Sequence, residues 1–330
     1  MPGNVFEYCS SLDSIVIPAG VTTINSAQFN GCTGLKYIEF AEADTEIEVD
    51  NASGLQAKYT AGSGDAAVDY ISTLEEVVVN RPMKSVQPAK NPWRGNTSIK
   101  KVTFGGNCTA VFSNMFENCS SLTEINIPET VTSIAANAFA GTGIASLDLH
   151  GGIATISSSA FQNCKNLTTV KLNEGTTFVD ALAFNGSPVA SLTLPESLTT
   201  IGKQAFQNTA LTGDIVLPSK VARINDQAFA GNSAMATITL PAGTTQVTYY
   251  GVAWKNKPSK LEFSVGGSVV GTQELAANDG ATSNSPYTIT VADTDKYTFT
   301  LASALAAETV VTVKTVETGT RAILFGVQAK

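Results

Sequence analysis

The sequence predicts a repeat solenoid, a stack of short coils with a parallel β-sheet along one face, followed by a small C-terminal all-β module. Three observations predict it. Pairs of apolar residues separated by one position recur, mostly 22 or 23 residues apart, from Ile15/Ile17 to Leu261/Phe263. An aromatic residue recurs once per unit. After Phe263 the period stops and short alternating runs replace it.

The pairs are Ile15/Ile17, Ile38/Phe40, Val77/Val79, Val102/Phe104, Ile125/Ile127, Leu147/Leu149, Val170/Leu172, Leu192/Leu194, Ile215/Leu217, Ile238/Leu240 and Leu261/Phe263. A spacing of two places both side chains on one face of a strand. One such strand cannot bury that face alone, so each coil must stack on the next, with strands parallel and about 4.8 Å apart. An apolar residue three before the pair (Leu12, Leu35, Leu74, Ile99, Leu122, Leu167) anchors the entry to each strand. A proline after it (Pro18, Pro128, Pro195, Pro218, Pro241) ends the strand by removing a ladder donor. The aromatic series Phe6, Phe29, Trp93, Phe116, Phe139, Phe161, Phe184, Phe206, Phe229 and Trp254 seals the opposite wall. Alanine before the ring, as in Ala138-Phe139 and Ala205-Phe206, predicts one short helical or 3₁₀ turn there.

Three stretches depart from the period. The chain opens mid-unit, because Val5-Phe6-Glu7-Tyr8-Cys9 matches the end of a repeat such as Ala160-Phe161-Gln162-Asn163-Cys164; a further segment upstream is the expectation. Residues 41–70 are acidic and then small and polar. They read as an insertion loop, tolerated because coils contact only their neighbours, or as a binding loop. Residues 264–330 alternate, as in Tyr287–Val291, Tyr297–Leu301 and Val310–Val313, and predict antiparallel strands forming a small module or a cap on the last coil. The expected domains are thus a solenoid over 1–263, interrupted at 41–70, and a β module over 264–330.

The pattern L-x-x-I-x-I-P-x-x-V-T-x-I-x-x-x-A-F-x-x-C, clearest from Leu122 to Phe139, resembles the BspA-type leucine-rich repeat of bacterial surface antigens. The resemblance covers roughly 1–263. It implies a curved right-handed leucine-rich-repeat coil, a secreted or cell-surface location with the signal or anchor upstream, and binding to host matrix proteins or other partners. It brings no catalytic residues.

Composition narrows the function classes. The formal net charge of -8, with no basic run, argues against nucleic acid. No stretch of about 18 apolar residues exists, so membrane insertion is not expected. Four of the five cysteines (Cys9, Cys32, Cys119, Cys164) sit three residues after the aromatic, where other units carry Asn96, Thr142, Ser187, Thr209 and Asn232. That slot reads as a buried ladder of small side chains, with the thiols free. Cys9 and Cys32 occupy adjacent coils, which leaves a disulfide between them open. His150, the one histidine, falls at a strand end and reads as solvated. Without a Cys/His cluster, a G-x-S-x-G or a phosphate loop, neither a metal, a cofactor nor an enzyme is expected.

One surface remains. The residue between each apolar pair points outward, giving the row Val16, Glu39, Val78, Thr103, Asn126, Asp148, Lys171, Thr193, Val216, Thr239 and Glu262, with Tyr37 beside it. Tyr37, Glu39, Thr103, Asn126, Asp148, Lys171 and Thr193 are the candidate binding residues, for a protein or glycan ligand of a monomeric adhesion module. The row also suits an ordinary solvated sheet, in which case the chain is a structural spacer displaying another domain.

Overall fold

The computed structural model describes residues 4–24, 28–49, 55, 73–85, 93–225, 227–232, 234–240, 246–253, 259–265, 268–275, 296–300, 309–315 and 322–329. Each coil contributes one longer strand, one shorter strand and a wall of turns. The longer strands are Ser14–Ile17, Tyr37–Phe40, Glu76–Val79, Lys101–Phe104, Glu124–Asn126, Ser146–Leu149, Thr169–Leu172, Ser191–Thr193, Gly213–Val216 and Met235–Leu240. They define the first to tenth coils. The shorter strands are Thr23–Ile24, Ile47–Val49, Met83–Ser85, Ala110–Val111, Ser133–Ile134, Thr155–Ile156, Phe178–Val179, Thr200–Ile201 and Arg223–Ile224. Where neighbouring coils pair, both rows are parallel, as a coil-on-coil stack requires.

The apolar pairs face inward as their period demands. Ile38, Phe40, Val77, Val79, Val102, Phe104, Leu147, Leu149, Val170 and Leu172 are all buried. Opposite them the rings of Trp93, Phe116, Phe139, Phe161, Phe184, Phe206 and Phe229 stack coil on coil, with centroids 5.3–5.9 Å apart and planes within 10°. Phe6 and Phe29 form a separate stacked pair at 5.5 Å. Trp254, expected to extend the ladder, lies outside the described residues.

The aromatic wall is not the helical turn that Ala-Phe suggested. Among the described residues there is no helix. Successive amides alternate in direction instead. Ala138, Ala140 and Thr142 donate to the carbonyl three residues back, whereas Asn137, Phe139 and Gly141 donate to Ser158, Ala160 and Gln162 of the next coil. Left-handed residues at both flanks of the ring impose this pattern. Two positions before the aromatic stand Asn114, Asn137, Ser159, Leu182, Gln204 and Gln227, all at φ of 55–60°. Two positions after it stand Gly31, Gly95, Asn118, Gly141, Asn163, Gly186, Asn208 and Gly231, also at positive φ. Only glycine and asparagine enter this region cheaply. The later series also alternates for steric reasons. A Cβ on Gly141 would lie 2.5 Å from Asn118 Oδ1, one on Gly186 would lie 2.5 Å from Asn163 Oδ1, and one on Gly231 would strike Asn208.

The ladders are interrupted in three places. Between the third and fourth coils the shorter strands Met83–Ser85 and Ala110–Val111 do not pair, while Glu76–Val79 still pairs with Lys101–Phe104. Between the eighth and ninth coils the longer strands do not pair, while Thr200–Ile201 still pairs with Arg223–Ile224. One extra residue, between Leu211 and Ile215, and a bulge at Gly213/Asp214 mark that site. Between the fifth and sixth coils both rows break: neither Glu124–Asn126 with Ser146–Leu149 nor Ser133–Ile134 with Thr155–Ile156 is paired. Ile125 and Ile127 there are only half-buried. The aromatic wall alone ties the two coils by backbone bonds.

The described part of 41–70 keeps a place in the stack. Ile47–Val49 pairs with Thr23–Ile24 and with Met83–Ser85, so it is the second coil's shorter strand. Most of the remainder of 41–70, and the expected strand at Tyr287–Val291, lie outside the described residues. Toward the C-terminus, Met235–Leu240 takes Thr309–Thr315 as an antiparallel neighbour, followed by Ser259–Val265 and Ser268–Leu275. The shorter-strand row continues through Ala322–Ala329, Gln246–Ala253 and Lys296–Thr300. Leu261 and Phe263 therefore sit on an antiparallel strand, not on a further parallel coil.

Candidate binding surface

The outward row is in register within each sheet. Val16, Glu39, Val78, Thr103 and Asn126 are Cα partners in succession, and Asp148, Lys171 and Thr193 form a second run. The break after the fifth coil separates them, so the seven candidate residues fall into two groups. Tyr37, Glu39, Thr103 and Asn126 lie on the first sheet; Asp148, Lys171 and Thr193 lie on the second. Tyr37 belongs to the adjacent row, with Glu76, Lys101 and Glu124.

Charge on this face is organised across coils. Tyr37 Oη donates to Glu39 Oε2 at 2.6 Å, and Asn80 donates to the other Glu39 oxygen at 3.0 Å. Burial, the bond to Glu39 and the negative charge of Glu39 and Glu76 push the Tyr37 phenol up to about 12. Glu76 pairs with Lys101 at 2.8 Å, Glu75 with Lys100 at 3.1 Å and Asp148 with Lys171 at 3.0 Å. Lys171 and Asn173 hold the Asp148 carboxyl below the usual carboxylate range. Exposed pairs of this kind contribute about 0–1 kcal/mol each. Their consequence is chemical: the face offers fixed dipoles and hydroxyls more than free ions.

The slot read as a buried ladder of small side chains is one from Cys32 onward, whereas Cys9, assigned to the same slot, is exposed. Cys32, Cys119, Thr142, Cys164, Ser187, Thr209 and Asn232 are all buried. Each bonds to the carbonyl of an aromatic: Cys119 Sγ to Trp93 O at 3.0 Å, Cys164 Sγ to Phe139 O at 3.2 Å, Ser187 Oγ to Phe161 O at 2.7 Å, and Asn232 Nδ2 to Phe206 O at 2.8 Å. All five thiols are free. Burial pushes Cys108 up to about 11 and Cys119 up to about 12. His150 departs from its reading as solvated. It is half-buried, its Nδ1 accepts the Gly152 amide at 3.2 Å, and its Nε2 is buried without a partner among the described residues. No group of three or more His, Cys, Asp or Glu among the described residues could hold a metal. No helix among them is long and apolar enough to cross a membrane.

Two features escaped the sequence reading. Arg81 is fully buried between corners of three coils. Glu174 caps the Glu196 and Ser197 amides of the next coil, and Glu196 in turn accepts from Ser219 N and Oγ, a relay of carboxylates along one corner. The recurring Glu after the strand-ending position was the available signal for the second. A lone arginine gave none for the first.

The BspA type leucine rich repeat region matches this chain in six copies, over residues 1–52, 90–212 and 210–283. No curated protein matches. Among solved structures, the chain is similar to a leucine-rich repeat protein from Bacteroides ovatus, at 17% identity over 70% of this chain and 58% of that one, with a TM-score of 0.42. It thus spans little more than half of that protein. It is also similar to a leucine rich cell surface protein from Faecalibacterium prausnitzii, at 18% identity over 72% of this chain and 75% of that one, with a TM-score of 0.30. A third is the pneumococcal vaccine antigen PcpA, at 13% identity over 71% and 73%, with a TM-score of 0.26. With the repeat matched over most of its length and the coils stacked as that repeat requires, the chain belongs to the BspA-type leucine-rich-repeat family.

Proposed function

We propose that the chain is a surface-exposed or secreted adhesion module that binds a protein or glycan through the longer-strand face and catalyses no reaction. The observation that carries this reading is the in-register row of outward side chains, one per coil, held on a fully packed core. Such a row presents groups at fixed spacing with little conformational freedom left to lose, which lowers the entropic cost of binding an extended partner. Tyr37 and Glu39 form one anchor, Asp148 and Lys171 the other, with Thr103, Asn126 and Thr193 as polar contacts. The antiparallel strands of the 264–330 region act as a closing module, and the unit works as a monomer. Family membership supports the surface location.

The test is binding of the full chain to immobilised matrix proteins and glycans, compared with Glu39→Lys, Asp148→Lys and Lys171→Glu. The reading expects at least a tenfold loss of affinity in the variants with thermal stability retained. Binding that is unaffected by all three moves the site elsewhere. No binding to any member of the panel favours a spacer that displays another domain.

A further inference from the structure

We propose that Cys9 and Cys32 are a built disulfide site, which staples two adjacent coils when a small-molecule disulfide oxidant is present. The slot three residues after the aromatic brings side chains of adjacent coils into direct contact. Thr142 Oγ1 lies 3.3 Å from Cys164 Sγ, and Thr209 Oγ1 lies 2.6 Å from Asn232 Oδ1. Cys9 and Cys32 are consecutive occupants of that slot. No other two cysteines are: Cys119 is followed by Thr142, Cys164 is flanked by Thr142 and Ser187, and Cys108 lies outside it. At this wall adjacent coils are set apart by about the 5.5 Å that separates the Phe6 and Phe29 rings, a spacing inside the Cα separation of about 4.4–6.8 Å that a disulfide spans.

Local bonding points the same way. The Cys32 thiol and the Cys9 amide both donate to the Phe6 carbonyl, each at 3.0 Å. The Cys32 sulfur is thereby held beside the Cys9 backbone. The two thiols differ in access: Cys9 is exposed and Cys32 buried. Burial pushes the Cys32 thiol up to about 11, which makes Cys9 the attacking group. The Cys9 thiolate attacks one sulfur of the oxidant, forming a mixed disulfide and releasing one thiolate. Cys32, giving its proton to solvent, then attacks the Cys9 sulfur and expels the second. Two protein thiols are oxidised and one small-molecule disulfide is reduced to two thiols.

Among the described residues, the Phe6 turn meets the next coil through the Phe6–Phe29 ring stack and two amide bonds, Phe6 to Gln28 O and Tyr8 to Asn30 O, and the staple would reinforce that contact. The experiment incubates the full folded chain with oxidised glutathione at pH 8, alkylates it, and maps the thiols by mass spectrometry. The proposal expects loss of two hydrogens, a Cys9–Cys32 peptide, and at least tenfold slower hydrogen exchange at the Phe6 and Tyr8 amides. In Cys32→Ser the reaction should stop at a glutathione adduct on Cys9. A wild-type chain that stops at that adduct, joins a second chain through Cys9, or forms the Cys9–Cys32 bond only after unfolding overturns it.

Discussion

Replacing Arg81 by leucine tests how far one side chain holds three coils together. Its Nε and Nη2 donate to Thr45 O at 3.0 and 2.7 Å, and Nη2 also donates to Thr45 Oγ1 at 2.7 Å. Nη1 donates to Ala19 O and Val21 O, both at 3.0 Å. Ala19 and Val21 belong to the first coil, Thr45 to the second and Arg81 to the third. The side chain is fully buried, and its partners are neutral oxygens. Arginine suits this place because its charge is permanent and its planar fork reaches several carbonyls at once. Leucine would leave three carbonyls and a hydroxyl without their donor. Bonds to a charged donor contribute about 1.5–3 kcal/mol each, partly offset by regained hydration of exposed corner groups and relief of guanidinium burial. A net loss of about 3–5 kcal/mol is expected, from several buried neutral acceptors left without a donor at about 1–3 kcal/mol each, less that offset. Because coils couple to nearest neighbours, the loss should be local. Native-state hydrogen exchange should quicken at Ala41, Ile47 and Glu48, whose amides cross this corner, and stay unchanged from Thr169 onward. Lysine should recover less than half, since it lacks the fork. A loss under about 1 kcal/mol, or faster exchange spread evenly along the stack, would refute the clamp.

Other substitutions probe the wall and the corners. Leu182 holds φ of 60° without the licence of glycine or asparagine, so Leu182→Asn should raise stability by about 0.5–1 kcal/mol in urea unfolding. Phe161→Ala removes a fully buried ring between Phe139 and Phe184 and should cost about 3–5 kcal/mol. Its effect on exchange should centre on the fifth and sixth coils, where no strand ladder shares the load; Phe184→Ala, with both ladders intact beside it, should disturb its surroundings less. The bonds from the Ser219 hydroxyl and amide hold the Glu196 carboxyl below the ordinary glutamate range. Their contribution is complete above the ordinary glutamate value and is lost as pH falls through the depressed one. An NMR titration should show the Glu196 midpoint rising toward the usual range in Ser219→Ala.

The coil architecture was legible because stacking repeats the same demand every 22 or 23 residues. Ile38, Val102, Leu147 and Val170 must all be apolar for one reason, and Cys32, Thr142 and Ser187 must all be small and polar for another. The conformation of the aromatic wall was present in the sequence but misread. Ala138-Phe139 suggested a helical turn, whereas the alternation Asn118, Gly141, Asn163, Gly186, Asn208, Gly231 records left-handed backbone with a side chain on every second coil. Arg81 left no periodic trace, since it serves one corner once. The candidate row was found, but its division between Asn126 and Asp148 was not. Pairing of backbones across a coil boundary depends on how the corners set the strands, and Ile125 and Leu147 look alike in sequence. His150 shows the same limit: its place at a strand end was correct, its burial was set by neighbours distant in the chain.

That division gives the stack a joint. Elsewhere a pull along the axis is carried by at least one ribbon of strand-to-strand backbone bonds, and at most junctions by both. At the junction after the fifth coil both ribbons are absent, so the load passes through the ring column and the turn amides of Asn137, Phe139 and Gly141. The molecule is then mechanically two stiff rods in series with a compliant link, and under tension it should lengthen at that link before any coil unravels. A partner gripping Glu39 on one rod and Lys171 on the other would feel the angle between them, and by holding it would stiffen the whole tether.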